Sequence, residues 1–413
     1  MKPAPSSAVP AIVVGRGQTG LGALRCLQLA GIPAYVACPP ADLVARSRWY
    51  RPTPGDRAWD GMPGAEAEAL LAAMPLSRAV LIPGADDAAL WLSQLPQSLR
   101  GRFVVASSTR ATLEILQDKS KFGEYLEHAG VAHPRTYTIR DGADIERVPF
   151  EQLERVFVKP ADSQRFSSAL GAKGIWARDR AEFLALWKKL DDCGLHVIAQ
   201  EYVPGSSADH YFVDGYRDRD GALTGLFARR RLRIFPPDFG NSSYCRSIAL
   251  ADVEPAVAAI GRLLEALAYR GIFSAEFKRD ARDGTFRLLE VNTRAWWYVE
   301  FAARCGVNVC RMAWQDALGE RVDVAPRTYP VGAGCVNLPG DLKAVLSGAA
   351  SERGPLWRAF GQWLRAHLHV FRFDDPRPGL AAMRGFFRLA ARKALHRGQG
   401  TLAAPSGRER QHP

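Results

Sequence analysis

The chain has 413 residues, 47% of them hydrophobic and 24% charged, a composition that suits two or three packed domains and excludes wholesale disorder. Its net charge of +12 favours anionic partners such as nucleotides, acidic substrates, nucleic acid or a membrane surface, although surplus surface arginine gives the same balance. Seven scattered cysteines without a CxxC argue against a disulfide framework or zinc ribbon and suit a reducing cytoplasm, and Cys305 and Cys310 read as packing residues.

No apolar h-region follows Met1 and no apolar run is long enough for a membrane span, so neither a signal peptide nor a transmembrane helix is expected. Residues 1–108 read as a doubly wound α/β domain. Ala11–Val14 is a short apolar strand that enters the turn Gly15-Arg-Gly-Gln-Thr-Gly20; a helix to about Ala30 and the strand Ile32–Ala37 follow. Arg78–Ile82 and Phe103–Ala106 are further buried strands. The glycine pattern invites a dinucleotide reading, but Ala37-Cys38-Pro39-Pro40 stands where an acidic ribose ligand would be needed. Asp86-Asp87 either starts a helix or faces the same cleft.

Residues 109–195 form a second unit: helices over Thr109–Leu116 and from Asp118-Lys119 to His128, strands Thr136–Ile139 and Val156–Lys159, a Ser/Gly loop, then Gly174–Ala177 and a helix over Arg180–Leu190. Residues 196–330 form a third. It opens with the strand His196–Tyr202, closed by Val203-Pro-Gly205, and continues with Asp209–Arg217 and Leu223–Arg231 around Asp220-Gly221. A helix over Val253–Leu267 leads to a hairpin, Ile272–Lys278 and Thr285–Asn292, which turns at Asp283-Gly284. Trp296–Leu318 reads as largely helical. Residues 331–398 form a basic helical extension, and 399–413 a disordered tail.

The hairpin carries the chemistry. Alternation places Ser274, Glu276 and Lys278 on one face, and Leu288, Glu290 and Asn292 together on the return strand. With the turn at Asp283-Gly284, Glu276 falls opposite Glu290, about 5 Å away between Cβ atoms. Two carboxylates so close repel unless a cation or proton intervenes, and with Asn292 they make an oxygen-only set suited to Mg²⁺. The alternative is an exposed hairpin with Glu276–Lys278 and Glu290–Arg294 ion pairs. Upstream, Lys159 ends an apolar strand, where an ammonium is costly unless it meets an anion. Gln200-Glu-Tyr-Val203 offers polar groups beside an apolar wall, as an adenine edge requires.

Arg229-Arg-Arg-Leu-Arg233 sends Arg229, Arg231 and Arg233 to one face. Beside an anion site this row reads better as anion-facing than as a nucleic-acid patch, and no nucleic acid is expected. Pro355–Arg397 interleaves arginines with Trp357, Phe360, Trp363, Phe386 and Phe387. Such a segment either packs on the core as a helical pair or lies on an anionic membrane.

The order of these motifs resembles the ATP-grasp superfamily over Ala11 to Leu318. The run is Asp118-Lys119, Gly130-Val-Ala-His-Pro134, Phe157-Val-Lys159-Pro160, Gln200-Glu-Tyr-Val-Pro204, Glu276, then Leu288-Leu-Glu-Val-Asn292-Thr-Arg294. Lys159-Pro-Ala-Asp-Ser163, Arg229–Arg233 with Pro237-Asp-Phe-Gly240, and Glu290 to Trp297 resemble the D-aspartate-ligase-like and carbamoyl-phosphate-synthase-like carboxylate–amine ligases in particular. The resemblance implies a pre-ATP-grasp domain, two α+β subdomains clamping ATP, and a helical C-terminal extension. It implies that Lys119 and Lys159 contact ATP phosphates, with Ser163, Ser168 and Lys173 supplying loop contacts. Gln200, Glu201, Tyr202 and Val203 would form the adenine hinge, with His210 near the nucleotide. Glu276, Glu290 and Asn292 would ligate Mg²⁺, and Arg294 would meet the acyl phosphate; Arg231 and Arg233 are candidates for phosphate or substrate carboxylate. The implied reaction joins small-molecule carboxylate and amine substrates in the cytoplasm. A non-catalytic ATP-binding sensor or scaffold is the alternative. Peripheral membrane contact and a homodimer remain open, and the serine-rich loop departs from the glycine-rich loop of many relatives.

Overall fold

A computed structural model describes residues 9–153, 155–160, 175–192, 197–237, 240–347 and 356–386. Ser163, Ser168, Lys173 and the tail 399–413 lie outside the described residues. Three sheets organise the chain. The first is parallel, in the order β2-β1-β3-β4, from β1 (Ala11–Val14), β2 (Ala34–Ala37), β3 (Ala79–Pro83) and β4 (Phe103–Val104). Strand alternation divides its side chains between two cores. Ala11, Val13 and Val36 pack with Leu21 and Leu24 of the helix Gly17–Leu29, whereas Ile12, Val14 and Ala37 pack with Leu71, Ala88 and Leu92 on the other side.

The second sheet, β5-β8-β6-β7, is antiparallel: β5 (Thr136–Ile139), β6 (Val156–Pro160), β7 (Ile175–Ala177) and β8 (Val197–Glu201). Phe183 and Leu190 of the helix Arg180–Asp191 fill its core against Val156, Val158 and Ala199. The third sheet has seven strands, β13-β12-β9-β10-β11-β14-β15. They are β9 (His210–Arg217), β10 (Leu223–Phe235), β11 (Asn241–Ile248), β12 (Gly271–Arg279), β13 (Phe286–Asn292), β14 (Gly334–Val336) and β15 (His367–Leu368). Val213, Phe273, Ala275 and Phe277 pack one face of this sheet on Ile260, Leu263 and Leu264 of the helix Glu254–Ala266. That leaves the polar alternates on the other face.

The C-terminal extension is not purely helical, as β14 and β15 lengthen the large sheet. Its helices are Leu338–Leu346, Leu356–Arg365 and residues 376–386. The stretch Trp296–Leu318 resolves into two helices, Val299–Arg304 and Val309–Leu318, which pack on Gly17–Leu29 and extend the first core. Gly22 is needed there, because a Cβ would approach Val299 Cγ1 to 3.0 Å. Beside this contact Arg25 is fully buried and donates to Asp375 at 2.9 Å, to Glu300 at 3.2 Å and to the Val370 carbonyl at 2.9 Å. Asp375, equally buried, also accepts from Ser47 Oγ and the Arg48 amide. Segments 350 positions apart are thereby knotted together.

Candidate nucleotide and metal site

A cleft opens between the small and large antiparallel sheets, lined by Lys119, Phe122, Leu126, His133, Lys159, Gln200, Leu288 and Leu289 among others. Lys119 opens the helix Lys119–His128, whose end is capped by Asp118 accepting from the amides of Ser120 and Lys121. Lys159 comes from β6 and Gln200 from the adjacent β8, paired antiparallel. The Lys159 ammonium donates to Gln200 Oε1 at 2.7 Å, and Gln200 Nε2 donates to Thr136 Oγ1 at 3.0 Å. Burial pulls Lys159 down to about 8, and nearby Lys119 and Lys278 reinforce this against the pull of Glu290 and Glu276. A desolvated ammonium of this kind gains most from an incoming anion.

The hairpin places Glu276 directly across from Glu290, and Ser274 from Asn292. The register slips just beyond, between Glu276 and Phe277, so that one residue of β13 is left over. This bulge changes the expected facing of Leu288: it is buried in the core with Val291 while still touching the cleft wall, and half-buried Leu289 lines the cleft beside it. Glu290 and Asn292 remain on the cleft side of β13, an edge strand.

The two carboxylates differ. Glu276 Oε1 accepts from His210 Nδ1 at 2.7 Å and from Arg231 Nη2 at 3.0 Å. Burial would raise its carboxyl, but Arg231, His210 and Arg229 overcome this and hold it well below the usual carboxylate range. Burial, aided by Arg231, lowers His210 to about 4, so the imidazole is neutral at neutral pH and its Nδ1–H is the donor. Glu290 is exposed and accepts only from Asn292 Nδ2, at 3.2 Å, among the described residues. Glu276 Oε2 and Glu290 Oε2 have no partner among the described residues and suit a hard divalent cation, whereas the Asn292 amide oxygen already accepts from Arg294. Neither Glu276–Lys278 nor Glu290–Arg294 forms an ion pair among the described residues.

Arg294 Nη2 donates to Asn292 Oδ1 and to Asp86 Oδ2, both at 3.0 Å, while its buried Nε has no partner. Asp86 thus anchors Arg294 from the first turn of the helix Asp86–Leu92. Arg229 and Arg231 of β10 both lie over the Phe212 ring, but a register shift separates Arg233 from them, and all three have separate partners. Arg229 pairs with buried Asp214 at 2.7 Å, and Arg231 reaches Glu276 and Ser242. The Arg233 fork is filled by Asp341 at 2.7 Å and Gln362 at 2.6 Å, so it is committed to the C-terminal extension.

In the hinge, buried Glu201 accepts from Arg135 at 3.2 Å and Arg282 at 2.7 Å, which leaves backbone groups as the polar edge there. Tyr202 stacks edge-on to Trp176, and the ring lies 4.5 Å from the Lys278 ammonium; Val203 is buried. Lys278 is itself buried and lowered to about 8, chiefly by desolvation. Alternation along β12 already places it with Glu276, yet in sequence it reads only as an ion-pair partner. Thr136, Arg135 and Arg282 carry no local signal at all. At the glycine-rich turn, the Gly17 amide donates to Asp42 at 2.9 Å, so a side chain of this chain takes the amide that such a loop would offer a phosphate.

No family model matches the sequence. A D-aspartate ligase of Enterococcus faecium (strain Aus0004) is 26% identical over 248 residues, 57% of this chain and 58% of that protein. The chain therefore matches little more than half the length of this curated relative. The biotin carboxylase domain of Hydrogenobacter thermophilus 2-oxoglutarate carboxylase, solved with MgADP, ADP and bicarbonate, superposes with a TM-score of 0.60 at 16% identity, over 79% of this chain and 73% of that one. The N5-carboxyaminoimidazole synthetase of Staphylococcus aureus, complexed with ADP, gives 0.58 at 14% identity, over 84% and 87%.

Proposed function

The chain has the ATP-grasp fold, and on that premise we propose that it is an ATP- and Mg²⁺-dependent ligase that activates a carboxylate as an acyl phosphate for attack by an amine. The observation that carries this reading is the Glu276–Glu290 pair standing across from the cleft that holds Lys119 and Lys159. The MgADP and ADP complexes of the two structural neighbours, and the ligase activity in the name of the sequence relative, support it.

Adenine would enter between Tyr202–Val203 and the Leu288–Leu289 wall, reading backbone groups of the hinge. Lys119 and Lys159 would hold the phosphates, each as a point charge. Glu276, Glu290 and Asn292 would hold Mg²⁺, which when bound neutralises phosphate charge. The substrate carboxylate oxygen attacks the γ-phosphorus, and ADP leaves. The amine then attacks the carbonyl carbon of the acyl phosphate, loses a proton, and inorganic phosphate departs. Arg294, anchored by Asp86 and Asn292, would stabilise charge developing at the acyl phosphate. Arg231 keeps Glu276 ionised, and neutral His210 orients it. Arg233 is assigned a structural role.

Phosphate release with ATP, Mg²⁺ and a panel of amino acids and other carboxylates tests the reading. Stimulation by one carboxylate–amine pair, with the joined product seen by mass spectrometry, is the expected result. ATP binding without turnover under any pair would favour a non-catalytic sensor, a reading to which the Arg231 and His210 contacts on Glu276 lend some support.

A further inference from the structure

The helix Leu356–Arg365 shows two different apolar faces. One is in use. Ala359 is buried, Trp363 packs against Leu232, Tyr244 and Val336, and Gln362 accepts from Arg233. The other is open: Leu356, Trp357, Phe360 and Leu364 are 55%, 68%, 57% and 72% exposed. At 3.6 residues per turn these four fall within an arc of about 100°. Scattered exposed hydrophobics need no explanation, but four on one arc, two of them aromatic, do.

Charge decides the occupant. Residues 356–397 contain nine Arg or Lys and two Asp, a surplus of seven out of the whole chain's +12. The two acids are already spent on this chain, Asp375 on Arg25 and Asp374 on Arg372. Arg358 and Arg365 lie together on one side of the open arc, about 80–100° beyond its Trp357 edge, with the Arg358 guanidinium 5.4 Å from the Trp357 ring, and Arg377 and Arg384 are exposed on the helix 376–386 beside exposed Leu380 and Met383. No helix among the described residues is long and apolar enough to cross a membrane. An apolar arc with a cationic border is the pattern of a helix that lies in the headgroup region of a bilayer. We propose that the open face of the helix Leu356–Arg365 docks this protein on an anionic lipid surface, with Trp357 and Phe360 inserted and the arginines on the side beyond Trp357 at the headgroups.

The experiment is co-sedimentation of the full chain with vesicles of equal parts phosphatidylglycerol and phosphatidylcholine, and with phosphatidylcholine alone. Binding to the mixed vesicles only, weakened several-fold by high salt, is expected. The double variant Trp357→Ser, Phe360→Ser should lower partitioning on the order of tenfold. Both residues are exposed, so its unfolding transition and ADP binding should match the unaltered chain. Absence of vesicle binding, or equal binding by the double variant, overturns the proposal. So does a lipid-free dimer that the double variant converts to monomer, since that assigns the arc to a second copy.

Discussion

The two strands of the central hairpin carry one carboxylate each, and the strands treat them differently. β12 lies inside the sheet, and its Glu276 is surrounded by β9 and β10, which supply His210 and Arg231. β13 is the edge, and its Glu290 meets solvent and one amide. An interior strand has neighbours on both sides to balance a charge, so its acid becomes part of the fold. An edge strand has one, so its acid stays available for exchange with a ligand. The same pairing register thus yields one carboxylate fixed by the fold and one open to solvent.

Glu276→Gln is the sharpest way to break the comparison. It leaves Arg231 buried beside a neutral amide, and about 3 kcal/mol of unfolding free energy should be lost in a denaturant titration. Glu290→Gln should lower ATP-dependent phosphate release roughly a hundredfold while stability stays within about 0.5 kcal/mol. Equal stability of the two variants would erase the distinction between the strands. Asp86→Asn releases the far anchor of Arg294, and kcat should fall about tenfold with ADP affinity unchanged in calorimetry. The smallest effect is on pH. Lys159 and Lys278 stand near 8 in the free protein, below the ordinary lysine value. Phosphate binding by Lys159 needs its protonated form, so ADP affinity should hold below that pH and weaken above it, by at most about tenfold per pH unit. In Lys159→Met that limb should flatten. Stability runs the same depressed-pKa way: it is greatest above the unfolded lysine value and declines as pH falls through about 8.

The register of the hairpin was legible because Asp283-Gly284 marks its turn, and Gly284 does take a φ of 74°. The facing of Leu288 was not, since a bulge has no composition of its own and alternation cannot count past it. Lys119, Lys159 and Gln200 announce themselves by polar character at the ends of apolar segments. The partners of Arg294 and Arg233 lie 208 and 108 positions away, and no local pattern predicts which acid a guanidinium will find. β11, with its sequence Asn-Ser-Ser-Tyr-Cys-Arg-Ser-Ile, lacks a clear apolar run and is a strand only because β10 and β14 pair with it on either side. The extension reads as helical because β14 and β15 are three and two residues long, below what periodicity can detect.

The Arg25 knot bears on the order in which the chain can be completed. During synthesis the first sheet emerges early, yet the guanidinium buried on its helix receives Glu300 and Asp375 only after nearly the whole polypeptide has left the ribosome. Until then an unpaired charge sits on what becomes an interior face, so the nascent N-terminal segment should stay loosely packed and protease-sensitive. A ribosome-bound chain ending near residue 330 should be cleaved there readily, and one carrying residue 386 at the tunnel exit should not.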